Sequence, residues 1–490
     1  MIAFDDVAST RIDLQPDHSR VIARLFVPGR EDVGPGDSRA APVIDRILQL
    51  PESEVEAAMV DVERRFAGRH ADLDQLFSDH AAMVISRIDE NVTLSSARQL
   101  LLGAAFTHEY SIEGAALCNP SAVLHPVQRG DGSVAFVVSV RGIGEGHRSS
   151  IGFRTGSLTA EGDIVIDPPG PFPRTGTAGP GLHHRSVFHL KLAEMDDDRE
   201  NAAHVLDPLS ARFDDDELER RISSLVADEA TRRQPSTTIA NLRDLAAASY
   251  RTSFAPASDV SERVLWPHVA AERHGMEDAR FVRFVHDSGG VTYYGTYTAF
   301  DGTNIAQHLL ETTDFRTFDV SPMAGQAAAG KGLALFPRKI QGRYAALSRS
   351  DRESNAIAFS SDVRCWEEST SLQVPTRAWE ILQLGNCGSP IETEAGWLVL
   401  THGVGAMRTY SIGAILLHLD EPERVLATTE LPLIGPGTEH RDGYVPNVVY
   451  SCGGFAHHDT LVLPYGIGDQ AISFTTLSIT GLIQSMRFEP

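Results

Sequence analysis

Basic residues are scarce in this chain. Lys and Arg total 43 against 66 Asp and Glu over 490 residues, for a formal net charge of −23. A surface of that sign repels polyanions, so a non-specific nucleic-acid surface and an anionic membrane are not expected as partners. Cysteine is scarcer still. Cys118, Cys365, Cys387 and Cys452 stand far apart, with no metal-ligand spacing and no disulfide framework, so reduced cytoplasmic thiols are expected. No apolar run reaches the roughly 18 residues of a membrane span. The opening Met1-Ile2-Ala3-Phe4-Asp5-Asp6 has no basic region followed by an apolar core, so no secretory leader is expected. His-Glu-x-x-His is missing, and the pairs His183-His184 and His457-His458 are adjacent, which makes their side chains diverge in a strand. No catalytic metal is expected.

What is present is enough apolar residue, 42%, for a sizeable core, in a chain long for a single domain. Residues 1–40 hold one short strand, Val21–Val27, then a Pro/Gly loop. From Ser53 the period changes: Val55, Met59, Val62 and Phe66 mark one helical face, with Ser53 and Glu56 in a capping-box pattern at its start. A second helical pattern follows through Leu73, Leu76, Phe77, Val84 and Ile88, and a third covers about 96–106. Residues 1–110 are therefore expected to form an N-terminal extension with a helical module.

After Asn119 the chain reads as β-structure. Segments beginning at Gly132, Gly290, Gly342, Gly396 and Asp459 share one plan, a turn residue and then an alternating or apolar strand. The last four recur at about 50–60 residues, and Thr313–Phe318 and Ser361–Trp366 track the same period. Repeats of that length with several short strands predict a five-bladed β-propeller over 111–490, an all-β core. The gap between the first two segments is too long for one blade. Asp214-Asp215-Asp216-Glu217 ahead of Leu218, Ile222 and Leu225 predicts a helical insertion at about 195–250, its acids at a helix start.

The residues that suggest chemistry are Glu277, Asp278 and Arg280, between the turn Gly275 and the apolar run Phe281, Val282, Phe284. A carboxylate beside a guanidinium at the rim of a β-element suits sugar chemistry, one acid donating a proton while its neighbours fix hydroxyls. Asn119-Pro120-Ser121-Ala122, His147–Gly152, Gly275–Arg280, Leu335–Ile340, Gly396-Trp397 through His402-Gly403, Tyr410–Ala414, Leu419–Pro422, Val445–Val449 and Tyr465-Gly466 with Asp469 occur in order across 119–474. In that ordered set the chain resembles glycoside hydrolase family 130, the inverting β-mannoside phosphorylases and related β-mannosidases.

The resemblance implies a five-bladed propeller with a central pocket and Asp278 as general acid, protonating the glycosidic oxygen through the 3-hydroxyl of the bound mannose. Ala279 stands where family members usually carry proline. The helical region resembles that of longer members, where such additions often mediate oligomers. By motif position Asn119, Arg141, Asn447 and Asp469 are expected to hold mannose, with Arg280 beside the acid and Trp266, Tyr444 and Tyr465 as stacking candidates.

A phosphorylase needs cations for its anionic nucleophile, whereas an inverting hydrolase needs a base to activate water. The candidates opposite Asp278 are basic. Arg148 follows a Gly-rich turn, Lys331 follows Gly330, and His402, Arg408 and Tyr410 cluster within one short stretch. Family analogy puts Arg148, Lys331, His402 and Tyr410 near the phosphate subsite; Arg338 and Arg349 are further candidates, each either an anion ligand or the partner of a blade acid. Gln383 lies near a place where many phosphorylases carry lysine.

The expected function is phosphorolysis of β-linked manno-oligosaccharides to α-mannose 1-phosphate and a shortened sugar. Inorganic phosphate is co-substrate and no cofactor takes part. Asn386–Pro390 resembles members acting on β-1,2-linked mannan. The alternatives are a β-mannosidase on the same fold and a non-catalytic carbohydrate-binding propeller.

Overall fold

The computed structural model describes residues 14–28, 39–89, 91–228, 232–437 and 441–488. They divide into two compact units, one of residues 17–114 with 170–174, the other holding the remainder.

In the smaller unit, strands Val21–Leu25 and Thr107–Ser111 pair antiparallel, and between them run helices Ala40–Gln49, Glu52–Phe66, Leu73–Ile85 and Ser96–Ala105. The capping box read at Ser53 does not form. The helix starts one residue earlier, with Pro51 at its N-cap and no side-chain cap bond, because a proline already fixes the extended entry to the first turn. The next two helices are capped by side chains, Asp72 accepting from the Gln75 amide and Ser95 from the Arg98 amide. Ile44, Ile47, Val84, Leu102 and Phe106 form the core.

The larger unit is built of successive antiparallel meanders. The first comprises Ala116–Leu124, Val134–Ile143, Ser149–Leu158 and Ile164–Ile166. The second comprises Gly275–Val285, Val291–Phe300, Ile305–Thr312 and Thr317–Pro322. The third runs through Ala334–Leu335, Tyr344–Ser348, Asn355–Ser360 and Ser369–Gln373. The fourth runs through Gln383–Asn386, Gly396–Val404, Tyr410–Leu417 and Val425–Thr428, and the fifth through Val449–Tyr450, Thr460–Ile467 and Ala471–Ser478. Each repeated segment of the sequence supplies the second strand of its meander, buried on both faces, which is why those segments carry the plainest apolar signal.

Core clusters join neighbouring meanders. Phe153, Phe281, Phe315 and Phe318 link the first to the second; Phe284, Leu309, Leu335 and Trp366 link the second to the third. Phe336, Leu347, Trp397 and Ile415 link the third to the fourth, and Leu400, Ile412, Leu461 and Leu463 the fourth to the fifth. The fifth returns to the first through Phe136, Val138, Phe455 and Phe474, and Cys452 N donates to Pro120 O at 2.8 Å.

Between the first and second meanders lie helices Arg185–Glu194, Arg199–Leu206, Asp215–Ala227 and Pro235–Ala247, packed around Phe188, Leu206, Ile222 and Leu242. The helices begin at Arg185, ten residues or so before the position expected from the acidic run. Asp214 and Glu217 form a capping box, so the acids do serve a helix start.

Candidate active site

Strands Ala116–Leu124 and Gly275–Val285 each carry a bulge, between Cys118 and Ser121 and between Glu277 and Arg280. Asn119 and Asp278 sit in these bulges with φ of 48° and 56°. Left-handed backbone is tolerated best by glycine and then by Asn and Asp, and a bulge turns a side chain out of the alternation of its strand. Asn447 and Asp469 share the left-handed conformation, at φ of 63° and 47°.

The two bulges meet. Asn119 Nδ2 donates to Asp278 Oδ1, and Arg141 Nη1 reaches the same oxygen at 3.3 Å. Arg141 Nη2 donates to Glu277 Oε1 at 2.6 Å, and Lys331 Nζ to Glu277 Oε2 at 2.7 Å. Arg280 Nη1 donates to the Asp278 carbonyl at 2.9 Å and its Nη2 to Tyr450 Oη at 2.7 Å. Asp278 Oδ2 takes part in none of these bonds.

Asn119, Arg141, Asp278, Arg280 and Lys331 line a cavity of about 390 Å³ together with Arg349, Arg352, Gln383, His402, Arg408, Tyr410, Tyr450 and Asp469. Its cations are Arg141, Arg280, Lys331, Arg349, Arg352 and Arg408, and its carboxylates are Asp278 and Asp469. In a chain of net charge −23 this concentration of guanidinium needs an anion to balance it. The Nε atoms of Arg141, Arg280 and Arg349 are buried without a hydrogen-bond partner.

Electrostatics separate the two carboxylates. Burial pushes the Asp278 carboxyl up, but Arg141, Lys331, Arg280 and the Asn119 bond outweigh it and hold it at about 2. Burial raises Asp469 to about 6, Arg141 opposing and Asp278 adding to the rise. Burial, then Arg349 and Arg280, drive the His402 imidazole well below its ordinary value. His402 is therefore neutral, its Nδ1 3.2 Å from the Asn386 carbonyl. It is not the cation expected from the sequence.

Among the other expected residues, Asn119, Arg141, Arg280, Lys331, Arg408, Tyr410 and Asp469 line the cavity with Asp278. Arg338 does not. Its guanidinium is bound to Glu392 at 2.6–3.1 Å and lies 4.9 Å over the Trp397 ring, because a neighbouring acid and an aromatic face satisfy it locally. Tyr465 is also outside the cavity lining, in the core of the fourth and fifth meanders. Tyr444 Oη meets His147 Nδ1, and Arg148 lies 5.8 Å over the Trp266 ring, so neither Tyr444, Arg148 nor Trp266 lines the cavity. Asn447 is also outside the cavity lining; its carbonyl accepts from the Tyr410 amide at 3.0 Å.

Arg352 and Tyr450 are not among the expected residues, and Glu277, expected to help fix hydroxyls, is bound by Arg141 and Lys331. Arg352 had a signal in Arg349-Ser350-Asp351-Arg352, a tight turn with two basic residues. Tyr450 had none, since its relation to Arg280 spans 170 residues of chain.

The profile of glycoside hydrolase family 130, described as beta-1,4-mannooligosaccharide phosphorylase, matches residues 255–487. The chain is 30% identical over 232 residues to the beta-1,2-mannobiose phosphorylase of Listeria innocua, a match covering 46% of this chain and 64% of that protein. The chain thus spans less than two thirds of that relative. It is 33% identical over 213 residues to the 1,2-beta-oligomannan phosphorylase of Thermoanaerobacter sp., covering 42% and 70%. A solved structure of the Listeria innocua beta-1,2-mannobiose phosphorylase in complex with beta-1,2-mannobiose is similar with a TM-score of 0.44 and 20% identity, over 77% of this chain and 93% of that one.

Proposed function

This chain belongs to glycoside hydrolase family 130, and from that membership we propose that it is an inverting β-mannoside phosphorylase on a five-bladed propeller. Its substrates are a β-linked manno-oligosaccharide, β-1,2-linked in the first instance, and inorganic phosphate. Its products are α-mannose 1-phosphate and a sugar shortened by one residue. No cofactor takes part.

Asp278 is the general acid. Asn119 and Arg141 fix Oδ1, leaving Oδ2 to face a substrate hydroxyl. The proton passes through the 3-hydroxyl of mannose to the glycosidic oxygen as the bond from that oxygen to C1 breaks. A phosphate oxygen forms the new bond to C1 from the opposite face, so the configuration inverts. Arg280, Lys331, Arg349, Arg352 and Arg408 hold the phosphate, with Tyr410 as hydrogen-bond donor. Arg141 and Asp469 hold mannose.

The observation that carries this reading is the gathering of cations around one acid. Glu277, the nearest other carboxylate, is engaged by Arg141 and Lys331 and has no freedom to activate water. Hydrolysis is the second reading, favoured by one fact: Asp469 lines the same cavity. Incubation with β-1,2-mannobiose with and without phosphate tests the choice. Mannose 1-phosphate formed only with phosphate is expected. Free mannose released at the same rate without phosphate overturns it.

A further inference from the structure

A proton donor should be placed where its neutral form is favoured. Asp278 is not. On the strand before it, Asn119 donates to its carboxylate. From the next strand Arg141 reaches it at 3.3 Å. On its own strand Arg280 bonds its carbonyl, and Lys331 closes the same side through Glu277. The same cavity is lined by Arg349 and Arg352 from the third meander and Arg408 and Tyr410 from the fourth. Neutral groups stand near it too: the His402 ring and the Tyr450 hydroxyl bound by Arg280 line the cavity, and the thiols of Cys118 and Cys452 are buried within electrostatic reach of Asp278. The further carboxyls are Glu277, bound by Arg141 and Lys331, and Asp469, which lines the cavity. With the cavity empty of anion, cations outnumber carboxylates and Asp278 is held ionised, near the bottom of the carboxylate range.

We propose that Asp278 takes up its proton when an inorganic oxyanion fills the cation cluster, so that anion and proton enter the site together. This rests on the phosphorolytic reading of the cavity and deepens it. Two negative charges bound to Arg280 and Lys331 neutralise two of the three cations that keep the carboxylate charged, and by their own repulsion of the carboxylate oppose the third, Arg141. Burial, which alone raises its proton affinity, then prevails. The same carboxyl without an anion holds no proton to give, so glycosidic bonds are protected from the acid until the nucleophile is in place.

The balance closes. A proton from solvent joins Asp278 as phosphate binds as its monohydrogen dianion. Asp278 gives that proton to the leaving oxygen while phosphate bonds to C1. The mannose 1-phosphate formed still carries the phosphate's proton and returns it to solvent, leaving Asp278 ionised and the cavity ready for the next anion.

The experiment is calorimetric titration of the full chain with sulfate, a dianion with no titration near neutrality, at pH 7 in two buffers of different ionisation enthalpy. The wild type is expected to take up close to one proton per sulfate. Its sulfate affinity should fall by up to tenfold per unit of rising pH. Asp278→Asn should bind sulfate without uptake and without the pH slope, whereas Asp469→Asn should keep both. Binding with no uptake in the wild type overturns the proposal and leaves phosphorolysis standing. Uptake that survives in Asp278→Asn, or is lost in Asp469→Asn, overturns it too, because His402 or Asp469 is then the group that gains the proton. If neither sulfate nor phosphate binds the wild type, the phosphorolytic reading fails first. The wild-type slope needs no variant, so poor folding of Asp278→Asn leaves the test intact.

Discussion

Arg349 occupies the space that a side chain on Gly385 would need. A Cβ at Gly385 would stand 2.3 Å from Arg349 Cδ and Nε and 2.6 Å from His402 Cε1. Arg349 lines the cavity that holds Asp278, so the missing side chain on one strand sets the position of a cation on another meander.

Gly385→Ala is therefore expected to displace Arg349 and to raise the KM for phosphate by about 10-fold to 100-fold, one lost charged hydrogen bond being worth roughly 1.5–3 kcal/mol. The KM for the mannoside should move far less. Steady-state kinetics with each substrate varied in turn measure the split, and an unchanged phosphate KM would show that Arg349 makes no contact with the nucleophile.

Asp278→Asn keeps the size of the side chain and removes the transferable proton. Turnover is expected to fall by at least about 10²-fold to 10⁴-fold, the usual share of a general acid. Binding of mannobiose, followed calorimetrically, should persist. Turnover within a few-fold of wild type would remove Asp278 from the reaction.

The acid limb of stability is set by the same residue. The Asp278 carboxyl is held at about 2 in the folded chain, burial being outweighed by Arg141, Lys331 and Arg280, and an unfolded aspartate titrates at about 3.9. A depressed carboxyl stabilises the fold above its unfolded pKa and loses that contribution as pH falls from about 4 through about 2. Wild type should therefore lose more Tm than Asp278→Asn across that interval in a thermal scan. Parallel curves would contradict the ion-pair geometry.

Asp469 has the opposite sign. Burial raises it to about 6, so between about 4 and 6 the folded chain holds a proton that the unfolded chain has released, and stability falls as pH rises through that window. Asp469→Asn is expected to be more stable than wild type at pH 8, by about 1–2 kcal/mol, and to bind mannose more weakly. Equal melting temperatures at pH 8 would mean that Asp469 is solvated.

Arg338→Ala tests the correction to the sequence reading. The exposed Arg338–Glu392 pair is worth at most about 1 kcal/mol. Both KM values and kcat should stay within about twofold of wild type. A large rise in the phosphate KM alone would put Arg338 back in the site.

Much of the β-architecture was legible because a second strand buried on both faces writes a plain apolar run, and its turn residue marks the start. Gly290, Gly342, Gly396 and Asp459 made the repeat visible without knowledge of pairing. Helix faces were equally plain, but the start at Glu52 was not, since Ser53 and Glu56 mimic a cap that Pro51 makes unnecessary.

For the site, the chain by itself determined which residue types were available: an acid pair and an arginine following a turn glycine, and bases in a chain otherwise poor in them. Only tertiary structure decided which bases are used. Arg338 and Arg349 are alike as letters. One finds Glu392 and Trp397 beside it, and the other is buried against Gly385 with an unpartnered Nε. The physical reason is that charge is satisfied by whatever lies within a few ångströms, and Asn119 and Arg141, which bind the Asp278 carboxylate, are 159 and 137 residues away in the chain. Local pattern records the periods that build strands; it holds no record of which guanidinium the fold turns into the cavity.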